Sequence, residues 1–97
     1  MIRALFALAL ASVAGCRLTP PVATSVDAER GQVALAELQQ GRQMMIRKCG
    51  NCHRPPMPGD HPAAAWPAKL DEMSIRAGLK RDQRHLIEQY LVLMSRR

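Results

Sequence analysis

Apolar residues return at helical intervals through most of the chain. Ala34, Leu38, Gly41, Met45 and Cys49 fall on one stripe of a helix. Thr24 and Asp27 stand ahead of it at capping-box spacing, with aspartate in place of the usual Glu or Gln, and good helix formers then run to about Lys48. Gly31 and Gly41 weaken this helix, and Gly41 is useful there only if another helix approaches closely. Pro55, Pro56, Pro58 and Pro62, with Gly59, predict a stiff loop after His53. A second helix is expected to open near Pro67 and close at Gly78, with Trp66, Leu70, Met73 and Ala77 on one face. A third spans about Arg81 to Met94, with Leu86, Ile87, Tyr90, Leu91 and Met94 along its stripe. No segment alternates with period two and no internal repeat is visible, so the expected fold is all-α, of about three helices.

The beginning of the chain has a different pattern. Arg3 precedes an apolar and small-residue stretch, Ala4 to Ala14, broken only by Ser12. It suits the apolar region of an export signal and is short of the twenty or so residues of a spanning helix. Val13-Ala14-Gly15-Cys16 resembles the bacterial lipoprotein box, in which cleavage before the cysteine leaves its thiol to carry a lipid. An ordinary signal peptide, with Cys16 an accidental thiol, is the plainer alternative, and both readings export the chain. Arg17 stands where enteric lipoproteins kept at the inner membrane carry aspartate, so the resemblance leans to the outer membrane. The expected organisation is a signal at residues 1–15, lipidated Cys16 with an extended proline-containing tether at 16–26, and one domain at 27–97.

About eighty residues then remain to fold, a size at which a metal, disulfide or cofactor often supplements the core. Outside the signal the only aromatic residues are Trp66 and Tyr90, and a bulky buried cofactor would fill the deficit. The net charge is +6. Nucleic acid is set aside, because the basic residues are scattered and not interleaved with aromatics.

Cys49-Gly50-Asn51-Cys52-His53 has the C-x-x-C-H form of c-type haem attachment. Two thiols at this spacing can each add to one haem vinyl group, and the adjacent histidine then lies under the iron. Three other readings stay open: a redox-active pair, a zinc site completed by His61 or His85, and a structural disulfide. A redox pair normally sits in a βαβ setting, and a zinc site normally brings a second close ligand pair.

The order Gly41, Cys49-x-x-Cys52-His53, proline-rich loop, Trp66, Met73, Ile87-x-x-Tyr90-Leu91 resembles a small bacterial class I cytochrome c over nearly all of the domain. The resemblance implies a mono-haem protein in which the first and last helices cross at a glycine. The matching positions are Gly41, Met45, Ile87 and Tyr90, with Met45 in place of the usual aromatic. It also implies a proline carbonyl accepting the His53 Nδ1 proton, from Pro55, Pro56 or Pro58, and a methionine as sixth iron ligand. Met44 and Met45 precede the motif on its own helix, and Met94 lies near the chain end. Met73 is the choice, with Trp66 and Leu70 beside it to wall off the haem; Met57 is next, and His61 and His85 remain.

The expected function is one-electron transfer on the periplasmic side, with His53 and Met73 as axial ligands and no catalysis. Arg47, Lys48, Arg54 and Lys69 are expected around the haem edge, where they would steer an acidic redox partner. The alternatives are a haem protein with an open or weakly held sixth position, for ligand binding or sensing, and a haem-free zinc or disulfide lipoprotein.

Overall fold

The computed structural model describes residues 19–50 and 53–97. The signal, Cys16, the start of the tether and Cys52 lie outside the described residues. Those described form an all-α structure without strands: α1 (Ser25–Gly31), α2 (Leu35–Cys49), α3 (Trp66–Ala77) and α4 (Arg81–Ser95). Two short 3-10 turns, Pro58–Asp60 and Ala63–Ala65, lie in the proline-rich loop. None of these helices is long and apolar enough to cross a membrane.

Thr24 and Asp27 form the expected capping box. The Thr24 N–H donates to Asp27 Oδ2 at 2.8 Å, and the Asp27 N–H is turned back to Thr24 Oγ1. The helix opened there is one element in the sequence pattern and two in the structure. Gln32 takes left-handed backbone (φ 53°) and ends α1, and the Val33 N–H bonds the Ala28 carbonyl. The cause is tertiary. A Cβ on Gly31 would lie 2.5 Å from Leu93 Cδ2, so α1 sits directly on α4 and the chain must turn before α2 begins. Ala34, expected on the α2 stripe, is the exposed residue ahead of that helix, and the buried stripe begins at Leu38.

The later helices follow their signals closely. Pro67 is the second residue of α3, and Gly78 (φ 65°) ends it, with the Leu79 N–H donating to the Ser74 carbonyl. At the start of α4 the Lys80 N–H donates to Gln83 Oε1 at 3.0 Å.

The core is the crossing of α2 and α4. At Gly41 the helices approach so closely that a Cβ would stand 2.8 Å from the Leu86 carbonyl carbon and 3.1 Å from Tyr90 Cβ. Leu38, Met45, Ile87, Tyr90 and Leu91 are wholly buried around that point, joined by Trp66 and Leu70 of α3. Each such aliphatic side chain contributes about 1.5–3 kcal/mol of transfer free energy.

The stretch expected as a tether is held against this crossing from Pro20 onward. Arg42 Nε donates to the Pro20 carbonyl at 2.9 Å and the Tyr90 hydroxyl to the Pro21 carbonyl at 2.6 Å, with Pro20 and Ala23 buried. Burial pushes the Tyr90 phenol up to about 12, so it remains a donor through the neutral range.

Candidate functional site

The last turn of α2 and one face of α3 enclose a cleft of about 310 Å³. Cys49 closes α2 and is 6% exposed, and it lines this cleft together with His53 and Met73. Helical spacing explains the second wall. Lys69, Met73 and Ala77 recur every four residues along α3, with Glu72 and Arg76 one step to the side, and all five line the cleft. Leu70 and Trp66 of the same helix are wholly buried in the core, so the wall is fixed from behind.

His53 is exposed, and its Nδ1 lies 2.7 Å from the Arg54 carbonyl. A proton on Nδ1 donated to that oxygen leaves the Nε2 lone pair available to a metal. The accepting carbonyl is thus that of the residue next to His53 and not of Pro55, Pro56 or Pro58. The Pro58 carbonyl has another donor: Trp66 Nε1 bonds it at 3.1 Å and pins the loop to the start of α3. Trp66, expected to pack on a haem, lies in the core and is not among the residues lining the cleft.

The remaining candidates are elsewhere. Met45 and Met94 are core residues, and Met44 faces a separate groove with Gln39, Gln43 and Arg47. Met57 is half-buried at the first 3-10 turn, its N–H donating to Asp60 Oδ2 at 2.9 Å. His61 stands edge-on to Trp66 with ring centroids 5.0 Å apart, and His85 lines a groove of about 720 Å³ along α4 that contains none of Cys49, His53 and Met73. Among the described residues, no three His, Cys, Asp or Glu side chains converge as they would on a metal ion.

The cleft's charge is mostly positive. Lys48, Lys69 and Arg76 line it, against Glu72, which pairs with Arg76 at 3.0 Å in a largely exposed position that adds little stability. Of the four cations expected there, Lys48 and Lys69 are present, and Arg47 faces the Met44 groove. Arg76 was missed by the sequence reading, although its position three residues after Met73 on the same helix carried the signal.

The donor set suits a covalently held haem: a buried cysteine sulfur at the end of a helix, an imidazole four residues on with one nitrogen oriented, and a thioether on the wall formed by α3. The chain matches no family model, no curated protein and no solved structure.

Proposed function

We propose that this chain is a c-type cytochrome that carries single electrons, with Cys49 and Cys52 bonded to one haem and His53 and Met73 as its axial ligands. The observation that carries this reading is the meeting of Cys49, His53 and Met73 in one cleft, when the other described methionines and histidines lie elsewhere. Bound there, the haem supplies a ferrous/ferric couple; the protein supplies attachment, ligands and surroundings.

Each residue has a separable task. The Cys49 and Cys52 thiols anchor the group, so it is retained through many redox cycles. The Arg54 carbonyl holds the His53 ring by its Nδ1 proton and directs Nε2 away from it. Met73 offers a neutral, polarizable sulfur, which raises the reduction potential relative to a second histidine. Lys48, Lys69 and Arg76 offer cations to the haem carboxylates and to an acidic redox partner. Export and a lipid on Cys16 would hold the protein at the periplasmic side of a membrane, the outer one favoured.

The test is expression with a cytochrome c maturation system followed by a pyridine haemochrome assay. A red protein with about one covalent haem per chain is expected, and a colourless product would remove the reading. Met73→Ala is expected to leave the haem attached while converting its spectrum to high spin. Ferrous wild-type protein that readily binds carbon monoxide would favour the open-site haem protein instead.

A further inference from the structure

The strap across the helix crossing changes how far the domain can stand from a membrane. We infer that residues 20–24 are a fixed part of the fold, so the membrane leash is only the segment from Cys16 to Pro20, and that the redox partner works within roughly 30 Å of the anchoring membrane. The inference rests on the lipoprotein and haem readings above.

The lengths follow from chain geometry. Four residue steps from Cys16 to Pro20 span at most about 14 Å, whereas a chain free up to Thr24 would span about 28 Å. Pro20 is fixed to Arg42, and the cleft begins at Lys48 and Cys49, about 10 Å further along α2. With the Arg42 side chain included, the cleft reaches roughly 30 Å from the lipidated residue. A partner whose docking face lies farther than that from the anchoring membrane is beyond reach; one whose docking face lies nearer, or that is free to approach, is not. Two hydrogen bonds of 2.9 and 2.6 Å and the burial of Pro20 and Ala23 hold the strap, and its outward residue, Val22, is 58% exposed.

The test uses the lipidated, haem-loaded protein in phosphatidylethanolamine/phosphatidylglycerol vesicles. A donor dye is placed at position 75, which is 83% exposed on α3, and an acceptor dye on the lipid headgroups. Three proteins are compared: native, Arg42→Gln with Tyr90→Phe, and native with twenty Gly/Ser residues inserted between Thr19 and Pro20. Energy transfer is expected to be highest in the native protein, to fall at least twofold on insertion, and to take an intermediate value in the double variant. The haem spectrum reports that each is folded. Transfer in the double variant equal to native would overturn the strap. Transfer unchanged by the insertion would overturn the leash, because the domain would then lie on the bilayer by its own contacts. Failure of the native protein to float with vesicles would overturn the lipid reading on which the leash depends, and is read before any dye signal.

Discussion

The middle and the end of α2 have opposite surroundings. At Gly41 the helix is pressed against α4 so closely that no side chain fits, and Leu38, Met45, Ile87 and Tyr90 are sealed from water. Two turns later, at Cys49, it opens on a cleft with charged residues along both sides. One helix therefore serves as core and as wall of the candidate site, and the difference lies in its partner. The crossing is closed by protein alone, while the cleft brings a thiol, an imidazole and a thioether together around a space of about 310 Å³.

Substitution at the crossing should have the largest effect. Gly41→Ala, whose Cβ would meet the Leu86 backbone, is expected to cost more than about 3 kcal/mol by overpacking, and Gly41→Val to prevent stable folding, both read by urea denaturation. A methionine pair then separates the two regions. Met45→Ala should cost about 2–5 kcal/mol and leave the haem spectrum unaltered. Met73→Ala should change the spectrum while costing the haem-free chain less than about 1 kcal/mol, because Met73 is only half-buried. The reverse result for either would erase the distinction between core and site.

The crossing also has its own alkaline signature. Burial favours the neutral Tyr90 phenol and raises its folded value to about 12, from a usual value near 10. Its contribution is therefore complete below pH 10 and lost as pH rises through 12, a fall of about 2–3 kcal/mol that Tyr90→Phe should remove. Cleft variants should retain it. The smallest effects belong to the cleft charges. Ferric haem carries one positive charge more than ferrous, so Arg76→Gln should lower the midpoint potential and Glu72→Gln should raise it, each on the order of 10 mV. Spectroelectrochemical titration reads both, and shifts of equal sign would mean that the pair does not act through charge.

Local signals were well written in the sequence. The Thr24–Asp27 box, Pro67 at the start of α3, Gly78 at its end and the spacing of Ile87 and Tyr90 all follow from residue chemistry within a few positions. Gly41 was legible as a close approach because a glycine inside a helix otherwise only weakens it. What was not legible depends on distant partners. Gln32 has no intrinsic reason to take φ 53°; α1 ends there because Gly31 meets Leu93, sixty-two positions away. Pro20 and Pro21 read as tether because prolines favour extended chain, and their carbonyls gave no sign of Arg42 and Tyr90 as donors. In the site, the α3 spacing put Met73 and Lys69 on one face, whereas the assignment of the Trp66 indole to the Pro58 carbonyl required the folded loop.

Asp27 has a further consequence. Its carboxylate accepts from Thr24 at the opening of the fold, lies 3.4 Å from Arg30, and is met at 3.5 Å by Arg97, the last residue. The start of α1 and the residues after α4 thus meet at one acidic group. A tag appended after Arg97 would emerge beside the Asp27 carboxylate, at the opening of α1.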